Sequence, residues 1–165
     1  MQQFDYNEML ETIIAKDERY PREAYHFVRE GLDFTQNKMS RMSGTKGPRH
    51  VTGRELTDGL RQYALEAYGP MARLLLSEWG ISKTEDFGEI VFNMVEHELL
   101  AKTDEDTRDD FSGGYDFEDA FRKPFLPLDP AASLADSAKR NITPVADSDN
   151  DRSGQPSEPE ASDKQ

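Results

Sequence analysis

The chain has 165 residues, a formal net charge of −13 and no cysteine. That length holds one domain and a tail, and the missing thiol excludes disulfides, thiolate catalysis and thiolate metal sites while fitting a reducing compartment. No stretch approaches the roughly 18 apolar residues of a membrane span, and MQQFDYNEML lacks the basic-then-apolar pattern of a secretory signal, so a cytoplasmic protein without a membrane partner is expected.

In chain order, DYNEMLETIIAK reads as a first helix, with Asp5 and Glu8 at capping-box spacing and Tyr6, Met9, Leu10, Ile13 and Ile14 at helical intervals. A second helix starts near Pro21 and lays Ala24, Phe27, Val28, Gly31 and Leu32 on one face. A glycine on that face costs helix stability, and the compensation expected is close approach of a neighbouring element.

The stretch SGTKGPRHVTG, residues 43 to 53, comes next. From Phe34 to Arg54 there are five basic residues and no acidic one. If Thr52 caps the following helix, the free N–H groups at its start lie beside Arg49 and Arg54, which are the ingredients of an anion site. Lys46, Arg49, His50, Thr52, Gly53 and Arg54 are therefore the candidate anion- or partner-binding residues. The competing reading is a mobile, self-capped hinge, because Glu55 at capping-box spacing would put a carboxylate where the anion should sit.

Leu56, Leu60, Tyr63, Ala64 and Ala67 then continue a helix that Gly69-Pro70 ends. Met71, Leu74, Leu75 and Trp79 form the stripe of the next helix, which Gly80 stops. Ser82 and Glu85 offer a further capping box, opening a helix whose Phe87, Ile90, Val91, Met94, Val95 and Leu99 are core candidates. Phe111, Tyr115, Phe117, Phe121 and Phe125 read as an aromatic lid that closes the core from outside.

From Asp129 onward there is no aromatic residue, and Leu134, Ile142 and Val145 are the sole large aliphatics among four prolines and many Ser, Asp and Glu. Such a composition predicts a disordered acidic tail over 129–165. The segment from Glu85 to Asp119 is strongly acidic as well, with thirteen acidic residues against Lys102 and Arg108.

Several chemistries can be weighed and set aside. Glu23-Ala-Tyr-His26 has the E-x-x-H spacing of di-iron bundles, but those sites need a second such pair, which the chain lacks. Glu96-His97-Glu98 fails because adjacent helical residues diverge. In TDEDTRDDFSGGY, an EF-hand count from Asp104 puts Asp106 correctly but brings Arg108, Asp109 and Tyr115 to positions that need a ligand, a glycine and a glutamate. There is no G-x-S-x-G, Walker loop, dinucleotide fingerprint or H-E-x-x-H. No catalytic residue, cofactor or metal is assigned.

The stretches RHVTGREL, WGISKTEDFGEIVF and GYDFEDAF, with RYPREAYHFVREGL before them, resemble the Minf family of small bacterial proteins over about residues 4–125. That resemblance implies a cytoplasmic bacterial protein without an assigned activity, and it brings no site residues.

The expected fold is an all-α domain over 1–128, with five main helices, the lid and a small β-hairpin near 100–117. The expected function is a non-enzymatic cytoplasmic protein-interaction or regulatory module. The alternatives are a winged-helix-like or loop-mediated nucleic-acid or anion binder and, after it, a small enzyme. In the winged-helix alternative a helix-turn-helix spans Gly80 and residues 84–100 form the recognition helix. Its Glu85, Asp86, Glu89, Glu96 and Glu98 would repel phosphates, so charge favours a protein partner over nucleic acid.

Overall fold

Two glycines, one on each of two long helices, set the central packing of this protein. The computed structural model describes residues 2–127, with side chains from Tyr6 onward, so the acidic tail expected over 129–165 lies outside the described residues. Helix α1 is Gln2–Lys16, α2 is Arg22–Ser43, α3 is Gly53–Tyr68, α4 is Ala72–Glu78, α5 is Thr84–Glu96 and the short α6 is Phe117–Phe121. The described residues contain no strand, and the fold is all-α.

Helices α2 and α3 form the most extensive pairing. An ideal Cβ on Gly31 would overlap the Leu60 side chain, and one on Gly59 would lie 2.7 Å from Thr35 Cγ2. Each helix therefore gives up a side chain where the other presents one, which accounts for the inward glycine at position 31. Thr35 is buried there, and its hydroxyl donates to the Gly31 carbonyl at 2.6 Å, so the polar group costs little.

Around that pair, Leu10 and Ile13 of α1, Leu76 of α4, and Phe87, Ile90 and Met94 of α5 complete a core centred on Phe27, Val28, Leu56 and Leu60. Several boundaries follow local chemistry. Thr52 caps α3, a 3₁₀ turn over Gly69–Met71 leads into α4, and Gly80 takes a left-handed φ of 73° just past its end.

Four expectations are corrected. Helix α1 begins at Gln2, ahead of the Asp5–Glu8 spacing, so that pair is not its cap. Helix α5 opens one residue later than a Ser82–Glu85 box would have it: Lys83 is the N-cap, and Asp86 Oδ2 accepts the Lys83 and Ser82 N–H groups at 3.1 and 2.8 Å. The stripe of α4 is rotated. Leu76 and Ala72 are buried, while Met71 and Leu74 are 52% and 53% exposed and Trp79 is half-buried against Phe27 and Tyr68. No hairpin forms near 100–117; that segment holds instead a 3₁₀ turn over Arg108–Phe111 and a left-handed Gly113.

The aromatic segment does cover the core. Phe111, Phe117 and Phe121 are buried and Tyr115 is half-buried, with its hydroxyl donating to the Thr57 carbonyl at 3.0 Å. Phe125 is the exception at 43% exposed. Phe111 lies against Gly88 of α5 and Gly53 of α3, where an ideal Cβ would approach its ring to 3.0 Å in both cases. The segment thus clamps the starts of two helices.

Candidate functional site

The basic loop begins later than its composition suggests, because α2 continues through Lys38 and Arg41 to Ser43 and stops at Gly44, whose φ of 66° is the left-handed cap. The rest of the loop is tied to the domain by its own side chains and backbone. Ser40 Oγ donates to the Gly47 carbonyl at 2.8 Å. Thr52 Oγ1 accepts the Glu55 N–H at 3.3 Å, and Glu55 Oε2 accepts the Thr52 N–H at 3.0 Å, which completes the capping box. Glu55 Oε1 also pairs with Arg49 at 3.3 Å, and His50 Nε2 donates to Asp106 Oδ1 at 3.3 Å.

Of the six candidate residues, Arg49, His50 and Thr52 are thus occupied by groups of the chain itself. Gly53 is buried under Asp110 and Phe111. Lys46 and Arg54 are exposed, and among the described residues neither reaches a carboxylate within 4 Å. The six do not converge on one point. An anion arriving at the start of α3 would meet the Glu55 carboxylate, with the Asp110 side chain packed on Gly53 beside it.

What the loop does build is one wall of a pocket. His50, Val51 and Gly53 face Leu32 of α2, Leu56 of α3, Val91 and Val95 of α5, and Leu100 and Phe111 beyond it. The enclosed volume is about 80 Å³. Its lining is mainly apolar, with Gln36, His50, Lys102, Asp106 and Asp110 as the polar members. Phe92 forms part of the wall, with the Arg108 guanidinium 5.0 Å and the Lys102 ammonium 6.0 Å from its ring centroid.

Volume decides the class of occupant. Sites for small molecules start at roughly 300 Å³, and one ordered water needs only about 10–15 Å³. A mainly apolar pocket between those limits, open on one side, suits a single apolar side chain.

The chemistry at the mouth is structural in kind. Asp106 Oδ2 accepts from the Thr103 N–H at 2.7 Å and from its hydroxyl at 3.0 Å, so the carboxylate ties off the turn that follows Lys102. Burial alone would raise the Asp106 carboxyl, but these two donors and the neighbouring His50 hold it below its ordinary value. His50 is about half exposed, and its bond to Asp106 clasps the loop to the 103–106 turn. Among the described residues no group of three or more His, Asp or Glu is placed to hold a metal ion. His26 packs its ring on Tyr6 at 5.8 Å between centroids.

The pocket was not visible in the sequence, and neither were Phe92, Lys102 and Asp106 as its rim. In the sequence Asp106 stands out as one position of a calcium loop whose other positions fail. The available signal is the T-x-x-D spacing of Thr103 and Asp106, in which the later carboxylate reaches back to the Thr103 N–H as in a capping box.

A second polar cluster fixes α1 to α5. Arg19 binds Asp17 through two bonds of 2.8 and 2.7 Å and reaches Glu89 at 3.1 Å, while Asn93 donates to Asp17 at 2.9 Å and to the Tyr25 hydroxyl at 3.1 Å. The Arg19 guanidinium, with Asn93 behind it, holds the Asp17 carboxyl far below the carboxylate range. These groups satisfy one another, and their role is attachment. No helix among the described residues is long and apolar enough to cross a membrane. No family model, curated protein or solved structure matches this chain.

Proposed function

We propose that this chain is a non-enzymatic, cytoplasmic protein-interaction module that captures one apolar side chain of a partner protein in the pocket behind residues 50–53. Membership of the Minf family belongs to the same proposal and rests on the sequence stretches that carry the resemblance. The observation behind the reading is the pocket itself: about 80 Å³, lined mainly by apolar side chains with a few charged ones, and open to solvent. Interfaces are commonly anchored by one side chain inserted into a desolvated pocket with a polar rim.

The clasped state of the loop supports the same reading. Arg49 and His50 already have carboxylate partners, and the Thr52–Glu55 box closes the start of α3, so the loop serves as a wall more readily than as an anion cradle.

Ala101 offers the test, because it is exposed and lines the mouth. Ala101→Phe should fill the pocket from outside, leave the melting temperature within about 2 °C of wild type, and abolish binding of any partner recovered with the wild-type domain. A partner that binds the plugged variant as well as wild type refutes the pocket as the anchor point.

A further inference from the structure

Two of the segments that wall the pocket are built differently. The one that carries Asp106 and Asp110 is stiffened by its own backbone: the Asp106 N–H donates to the Thr103 carbonyl and the Asp110 N–H to the Thr107 carbonyl, each at 3.2 Å. The one that carries His50 and Val51 runs from Gly44, and among the described residues no backbone–backbone hydrogen bond involves residues 45–51. Residues 41–50 are all exposed, and Val51, 8% exposed, is the one buried side chain between Arg41 and Thr52. What holds this stretch is the Ser40 hydroxyl on the Gly47 carbonyl, a contact between the Ser43 and Thr45 hydroxyls, and the pairs Arg49–Glu55 and His50–Asp106. Gly44 and Gly47 take φ of 66° and 116°, and a Cβ on either would meet nothing within 4 Å, so the backbone and not the packing calls for glycine at both.

We infer that residues 44–51 are a hinged strap that swings off the pocket about Gly44 and Gly47 and is latched shut by Val51 and the His50–Asp106 clasp. This rests on the pocket being the docking point and adds how entry to it is controlled. Segments that open locally are those with few buried apolar contacts and solvent-exposed hydrogen bonds, and this stretch has one buried side chain and exposed ties. Its far end stays in place, because the Thr52–Glu55 box holds the start of α3. Lifting the strap takes His50 and Val51 out of the lining and uncovers Leu32 and Leu56, which line the same space. The volume of about 80 Å³ is then that of the closed form, and the strap gates the pocket as a lid loop gates a site.

The chain has no cysteine, so a thiol introduced at one position reports on that position alone. Three full-length variants are labelled with a dye-bearing maleimide too large for the closed pocket: Val51→Cys on the strap, Leu56→Cys among the pocket liners, and Leu76→Cys, buried in the core and not a pocket liner. Each rate is divided by the rate expected from that variant's own global unfolding equilibrium, measured in urea, so that unequal stabilities cancel. Positions 51 and 56 should then react at least about tenfold faster than position 76, since a local opening costs less than global unfolding. Adding His50→Ala should speed labelling at positions 51 and 56 by about two- to fivefold, the range of an exposed ion pair, and leave position 76 unchanged.

If all three positions react at the global rate, the stretch moves only with the whole domain and the strap is overturned. If position 51 reacts fast and position 56 does not, the stretch lifts without uncovering the pocket, and the gate is overturned. If His50→Ala changes no rate, the clasp does not hold the strap shut, which overturns the inference as well. None of these readouts involves a partner, so they decide the strap alone, while Ala101→Phe against a recovered protein partner decides the docking point separately.

Discussion

Gly59→Ala adds a single methyl group at the tightest point between α2 and α3. The new Cβ would overlap Thr35 Oγ1 and stand 2.7 Å from Cγ2 and 2.8 Å from Cβ, so rotating the threonine exchanges one clash for another. Thr35 is also held by its bond to the Gly31 carbonyl, and the next turn along repeats the arrangement with Leu60 over Gly31. Overpacking of this kind costs about 1–3 kcal/mol, and an overlap with all three atoms of a buried side chain belongs near the top of that range. Alanine recovers about 1 kcal/mol of intrinsic helix propensity, which leaves a net loss of about 2 kcal/mol. For a domain of this size the melting temperature should fall by roughly 6–10 °C. Circular dichroism at 222 nm measures it. In a Thr35→Ala background the same change should cost roughly 1 kcal/mol less, because two of the three clashing atoms are gone. An unchanged or raised melting temperature for the single variant would refute the glycine contact, since propensity alone predicts a gain.

Two further outcomes test the attachments between distant segments. Asp86→Ala leaves the Tyr20 hydroxyl and the Ser82 and Lys83 N–H groups without their acceptor and should cost about 2–4 kcal/mol, against about 1 kcal/mol for Tyr20→Phe, both read from urea unfolding; equal small losses would mean that the carboxylate is not the hub. The Asp17 carboxyl is depressed in the folded state by Arg19 and Asn93, so its contribution is fully present above the unfolded value near 4 and is lost as pH falls below it. Asp17→Asn should therefore be less stable than wild type at neutral pH and should lose less on acidification toward pH 3; parallel pH profiles would refute the linkage.

Features of the fold that were legible in the sequence depend on neighbours in the chain. The Thr52–Glu55 box, the Gly69-Pro70 break and the Gly80 stop are decided within a few residues, and all three stand where the local pattern puts them. The inward Gly31 was legible for the same reason. Helix α4 was not, because Leu74, Leu75 and Leu76 are consecutive and satisfy more than one register; packing under Ala72 and Leu76 chooses, and Leu74 is left outside. The start of α5 was missed because Tyr20, far back in the chain, holds Asp86 at 2.7 Å and makes it, not Glu85, the residue that closes the box. The pocket needed His50, Val91, Lys102 and Asp106 to be brought together from separate segments, and no spacing encodes that.

The aromatic segment after α5 has a consequence for the order of events during synthesis. Phe111 seals the starts of α3 and α5, and Phe117 and Phe121 close over Phe87 and the neighbouring helices, yet all three are made after every helix they cover. A growing chain that has released α1 to α5 therefore carries an open apolar face until residue 121 has cleared the ribosome. In that interval the faces later covered by these rings are available to chaperones and to other nascent chains, and the same rings that stabilise the finished domain set the length of its exposure.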